Sequence, residues 1–121
     1  MADEFGAQKA FLTWEESAEI LRIDAGHGIS RAQRLLAIRY LRGRGVPKDE
    51  AIAYYWMQLA AQQNFSMAQR SLGELYENGF GIAMDITLAS HCYGLAALQG
   101  DSIATEHLQR LAQPIYATGP V

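Results

Sequence analysis

The stretch SRAQRLLAIRYLRGRGVPKDEAIAYYWMQLAAQQNF, residues 30–65, decides the fold because it recurs at once. The next 36 residues, 66–101, read SMAQRSLGELYENGFGIAMDITLASHCYGLAALQGD, and without a gap 14 of 36 positions are identical. Among them are Ser30/Ser66, Ala32/Ala68, Gln33/Gln69, Leu36/Leu72, Tyr40/Tyr76, Gly43/Gly79, Gly45/Gly81, Asp49/Asp85 and Gln63/Gln99. Self-similarity at a fixed period is the mark of a repeat array. Partial copies flank the pair: DAGHGIS (24–30) lies in register with AAQQNFS (60–66), and SIATEHLQRL (102–111) with SMAQRSLGEL (66–75). The chain, 1–121, therefore reads as a single helical-repeat domain. Its parts are an N-terminal half repeat (13–29), two repeats (30–65 and 66–101), a C-terminal half repeat (102–113) and a tail (114–121).

Each unit reads as two helices. Ala32, Leu36 and Tyr40 recur at i, i+4, i+8, one face of a helix, and Ala53, Trp56, Met57 and Ala60 mark the second. Repeated alanines let helices approach closely, and Trp56 with the tyrosines fills the gaps. The spacing predicts helices near 13–26, 30–42, 49–62, 66–78, 85–98 and 102–113, with no strand. Thr13-x-x-Glu16, Ser30-x-x-Gln33 and Ser66-x-x-Gln69 have the form of capping boxes. Asp49 and Asp85 stand as N-caps. Gly28, Asn64 and Gly100 share a repeat position that suits a left-handed helix end.

The pattern A-x-x-x-L-(A/G)-x-x-Y-x-x-G-x-G-(V/I)-x-x-D-x-x-x-A-x-x-(W)-x-x-x-A-A-x-Q-(N/G) resembles the Sel-one-like repeat (SLR) family, relatives of the tetratricopeptide repeats. The likeness covers roughly residues 13 to 113; Cys92 in place of the tryptophan at Trp56, and Ala83 in place of Pro47, depart from it. It implies an all-α, right-handed superhelix (solenoid) of helical hairpins, about 2.5–3 SLR repeats, that works as a protein-binding scaffold.

Composition agrees with a soluble globular domain: 50% hydrophobic and 19% charged residues, net charge −3. That charge counts against a dedicated nucleic-acid binder. No apolar run approaches the roughly 20 residues of a membrane helix. The N-terminal stretch does not read as a secretory signal, and one cysteine, Cys92, allows no intrachain disulfide; a cytoplasmic setting is the simplest expectation.

RGRGVPKD (42–49) at first looks like a phosphate loop, but it has neither the G-x-x-x-x-G-K-[ST] pattern nor a third glycine. Its copy NGFGIAMD (78–85) keeps both glycines and the aspartate and loses every basic residue, so the shared residues read as structure. His27, His91 and His107 show no metal-ligand spacing, and no cofactor is implied. His91 and Cys92 are adjacent, so on a helix they point about 100° apart, which does not make a nucleophile–base pair. The chain reads as a non-enzyme without catalytic residues.

Two surfaces remain. By analogy with related superhelices, the first helix of each unit lines the concave face, with Arg34, Ile38, Leu41, Arg70, Glu74, Glu77, Glu106 and Arg110 at its non-core positions. Arg70/Glu74 and Glu106/Arg110 are also i, i+4 pairs. This face reads either as a self-neutralised solvated surface or as a mixed-charge groove for a peptide or helix, with Ile38 and Leu41 as apolar anchors. Arg39, Arg42, Arg44 and Lys48 form a basic loop patch, and a solvated loop is its plain alternative. The function expected is non-catalytic protein–protein interaction, as a small adaptor or an inhibitor or immunity-type protein, with no nucleic-acid or membrane partner. The alternatives are a self-assembling structural module, joined through the weakly polar C-terminal end (Ile115, Tyr116, Val121), and, behind it, a hydrolytic enzyme.

Overall fold

The computed structural model describes residues 11–113 as six α-helices, with no strand among the described residues. They are α1 (Trp14–Gly26), α2 (Ser30–Arg42), α3 (Glu50–Ala61), α4 (Ser66–Asn78), α5 (Ile86–Leu98) and α6 (Ser102–Ala112). Consecutive helices pack as antiparallel hairpins, and α2 also touches α4, as expected of a solenoid in which each unit meets only its neighbours. Ile115, Tyr116 and Val121 lie outside the described residues.

The helix starts follow the side chains that can satisfy orphan N–H groups. Thr13 Oγ1 accepts from Glu16 N at 3.0 Å while Thr13 N donates to Glu16 Oε1 at 2.9 Å, a complete capping box. Asp49 and Asp85 each accept from the backbone N–H three residues on, at 3.0 Å, and Asp101 does the same for α6 at 2.9 Å. The boxes expected at Ser30 and Ser66 do not form: the N-caps are Ile29 and Phe65, without a side-chain bond. Gln33 and Gln69 are instead only 4% exposed and bind sideways. Gln63 Nε2 donates to Gln33 Oε1, and Gln99 Nε2 to Gln69 Oε1, each at 2.8 Å. A buried amide left unpaired costs about 1–3 kcal/mol, so these bonds tie the two helices of each unit together. Gln33 Nε2 donates to Ala25 O at 3.1 Å and Gln69 Nε2 to Asn64 Oδ1 at 3.3 Å, reaching back to the unit before.

The glycine loops are one structure twice. Arg44 N and Phe80 N donate to Arg39 O and Leu75 O at 3.0 Å, and Asp49 N and Asp85 N donate to Tyr40 O and Tyr76 O at 2.9 Å. Those N–H groups are engaged internally and so do not cradle a phosphate. Gly45 and Gly81 have φ of +80° and +77°, and a Cβ at either would run into the carbonyl oxygen of Trp14 or of Glu50. Trp14 and Glu50 are themselves 36 residues apart, so each loop seats on the first turn of the preceding unit's second helix.

Alanines make the core close-packed: Ala37, Ala53, Ala60, Ala68, Ala89, Ala96 and Ala104 are fully buried where helices cross. Leu36, Met57 and Tyr93 are the largest fully buried side chains, each contributing about 1.5–3 kcal/mol by burial. Tyr54 and Tyr76 meet edge to face at 5.8 Å, with their hydroxyls 2.9 Å apart.

Candidate functional site: a groove between α2 and α4

A cavity of about 250 Å³ lies between α2 and α4, floored by Met57 and Leu75. From α2 come Arg34, Ile38, Leu41 and Arg42, at i, i+4, i+7 and i+8, one helix face. From α4 come Arg70, Ser71, Glu74 and Asn78, and Phe80 closes one end from the loop. Five of the eight residues assigned to the concave face by sequence, Arg34, Ile38, Leu41, Arg70 and Glu74, thus share one groove. Ser71, Asn78 and Phe80 were missed. Phe80 replaces Arg44 at its repeat position, and a large apolar residue in a polar loop was the available signal.

The electrostatics of the two arginines differ. Arg70 is matched: its Nε donates to Asp101 Oδ2 at 2.9 Å and its Nη1 lies 3.7 Å from Glu74. Burial alone would raise the Asp101 carboxyl, but the Ala104 N–H and Arg70 hold it below its usual range. Arg34 donates through Nε to Ser71 Oγ at 3.1 Å and has no carboxylate in ion-pair contact among the described residues. Burial and then the like charge of Arg70 push its guanidinium below its ordinary range, against the opposing pull of the Glu74 and Asp101 carboxylates nearby.

The remaining residues that the sequence assigns to the concave face sit farther along. Glu77 accepts from Arg110 at 2.7 and 2.9 Å and from Tyr93 Oη at 2.8 Å, and the Tyr93 ring packs against His107 at 4.7 Å. Arg110 therefore pairs with Glu77, not with Glu106 one turn away, because a bidentate fork on a half-buried carboxylate outcompetes an exposed helix pair. Glu106 is exposed.

The loop patch divides. Arg39 donates to Trp14 O at 3.1 Å and to Ser17 Oγ at 2.8 Å, and stacks over the Trp14 ring at 4.8 Å, with Arg44 at 5.1 Å. These two clamp α1 to the loop. Arg42 and Lys48 are exposed, and Arg42 also lines the groove.

Two further features bear on function. Cys92 is buried, and burial raises its thiol to about 11, the reverse of an activated nucleophile. Neighbouring His91 is exposed. No group of three or more His, Cys, Asp or Glu among the described residues could hold a metal ion, and no helix there is long and apolar enough to cross a membrane. At the C-terminal end, an open apolar depression of about 490 Å³ is lined by Gly94, Leu95, Ala97, Leu98 and Leu108, with Leu98 87% exposed.

A family model described as Sel1 repeat matches residues 30–65 and 66–101. No curated protein matches the chain. Among solved structures, a Sel1 repeat protein from Oxalobacter formigenes is 43% identical, with a TM-score of 0.75 over 78% of this chain and 71% of that one. A protective antigen of uropathogenic Escherichia coli strains, displaying an SLR fold, is 30% identical with a TM-score of 0.80 over 82% of this chain. This chain spans 21% of that antigen's length.

Proposed function

This chain belongs to the Sel1 repeat family, whose members are generally protein–protein interaction modules, and from that premise we propose that it is a non-catalytic binding protein. It acts as a small adaptor or an inhibitor or immunity-type protein and uses the groove between α2 and α4. The observation that carries the reading is that apolar Ile38 and Leu41 share one cavity with Arg34, which makes no ion pair among the described residues. Apolar anchors beside directional charge are what a recognition groove needs. The buried, high-pKa Cys92 supports binding over nucleophilic catalysis.

The test is affinity capture from the native cell with the full chain and with Ile38→Asp, quantified by mass spectrometry. A captured protein that is lost with Ile38→Asp, at a melting temperature within a few degrees of the parent, supports the reading. An unchanged set of captured proteins removes it.

The C-terminal depression favours a second reading, self-assembly. Gly94, Ala97, Leu98 and Leu108 stand 36 residues after Gln58, Ala61, Gln62 and Leu72, which line the space that α5 flanks between α3 and α4. A second copy laid on α5 and α6 would extend that stacking. A concentration-independent monomer mass in light scattering eliminates it.

A further inference from the structure

The 36-residue frame allows the two grooves of the solenoid to be compared position by position, and they differ in one respect. The groove between α4 and α6 is bridged by the chain itself, through Arg70–Asp101 at 2.9 Å and Glu77–Arg110 at 2.7 Å. One period earlier, between α2 and α4, the same positions hold Arg34 and Phe65, and Leu41 and Glu74. Arg34 thus has the place of Arg70, but its counter-ion has been replaced by a phenylalanine. Arg42, eight residues farther along the same face, is exposed and has no hydrogen-bond or ion-pair partner among the described residues. Arg34 and Arg42, neither in an ion pair among the described residues, therefore flank the apolar pair Ile38 and Leu41 on the cavity wall. Glu74 also lines this cavity, and the Arg34–Ser71 hydrogen bond crosses it in place of an ion pair.

We propose that this groove takes an extended peptide segment of acidic–apolar–acidic pattern, with carboxylates on Arg34 and Arg42 and the apolar side chain on Ile38 and Leu41. The proposal rests on the protein-binding reading above and deepens it. Geometry sets the spacing. Eight helical residues place Arg34 and Arg42 about 12 Å apart. An extended chain rises about 3.3 Å per residue, so two acids four residues apart match that distance. Residues i, i+2 and i+4 of an extended chain face the same way, which aims the central apolar residue at Ile38 and Leu41. A cavity of about 250 Å³ admits one or two side chains but not a helix, whose diameter with side chains is about 10–12 Å. Arginine suits the task because its planar fork matches a carboxylate bidentately.

The test begins with a phage-displayed library of random ten-residue peptides panned on the full chain, followed by fluorescence anisotropy with the enriched peptide. The expected enrichment is two acids four residues apart around an apolar residue, with affinity falling as salt is raised. Arg34→Gln should weaken binding about tenfold or more, the loss of one charge-assisted contact. Phe65→Asp should do the same by supplying in cis the carboxylate that Asp101 gives Arg70, while Phe65→Asn leaves affinity unchanged. Enriched peptides without acids, an amide analogue that binds as well as the acid, or displacement of the peptide by an equimolar single-stranded oligonucleotide would each overturn the proposal. If such acid-free peptides still lose binding on Ile38→Asp, the groove remains a protein-binding site and only its acidic preference falls. Captured proteins indifferent to Ile38→Asp would instead remove the underlying reading.

Discussion

Gly73 offers a test of the packing in which two physical effects oppose each other. It lies inside α4, where replacing glycine by alanine ordinarily stabilises a helix by about 1 kcal/mol. Here a Cβ would stand 2.7 and 2.8 Å from the Tyr93 ring, about 1 Å inside ordinary carbon–carbon contact. Tyr93 cannot yield easily: it is fully buried, its hydroxyl holds Glu77 at 2.8 Å, and His107 covers its ring. Overpacking of this kind costs about 1–3 kcal/mol. Gly73→Ala should therefore come out destabilised by about 1 kcal/mol, a fall in melting temperature of about 4–8 °C for a domain near this size. The equivalent pair one repeat earlier is Ala37 and Met57, small-to-large in a different division of the same space. Gly73→Ala combined with Tyr93→Met recreates it, so a double-mutant cycle by urea denaturation should give a favourable coupling of about 1–2 kcal/mol. A rise in melting temperature for Gly73→Ala, or strict additivity of the two changes, would refute the reasoning.

Other outcomes follow from the same geometry. Gly81→Ala forces a Cβ into the Glu50 carbonyl at a positive φ, and should lower stability by more than about 2 kcal/mol in the same denaturation assay. The Glu77 carboxyl is held below its usual range first by Arg110, against burial, and then by Tyr93. A depressed folded value contributes stability above the unfolded carboxyl pKa of about 4.3 and loses it as pH falls through the folded value, so Glu77→Gln should make the stability–pH curve shallower between about pH 5 and 3. With its thiol raised to about 11 and buried, Cys92 should react with a disulfide reagent at pH 8 only as fast as the chain opens, and immediately in guanidinium.

The helices, their order and the loop glycines were legible because the period of 36 exposes them twice. Asp49 and Asp85 cap as their spacing says, since a cap is a local interaction. The serine boxes failed for the opposite reason. Gln33 and Gln69 have partners 30 residues away, Gln63 and Gln99, and a local motif does not register so distant a bond. The signal was nonetheless present, as polar residues retained in both copies at both positions. The groove was half legible: facing positions on α2 and α4 follow from periodicity, whereas the asymmetry between Arg34 and Arg70 depends on what stands at 65 and 101. The Arg39 clamp was hidden because its repeat counterpart is the buried Leu75, and only the meeting with Trp14 shows why an arginine stands there.

The most direct test of the proposed binding groove places a photo-crosslinking amino acid at position 38 in one variant and at position 55, exposed on α3, in another, each expressed in the native cell. Irradiation should yield a covalent adduct with another protein from position 38 and none from position 55. Adducts from position 55 alone would contradict the account.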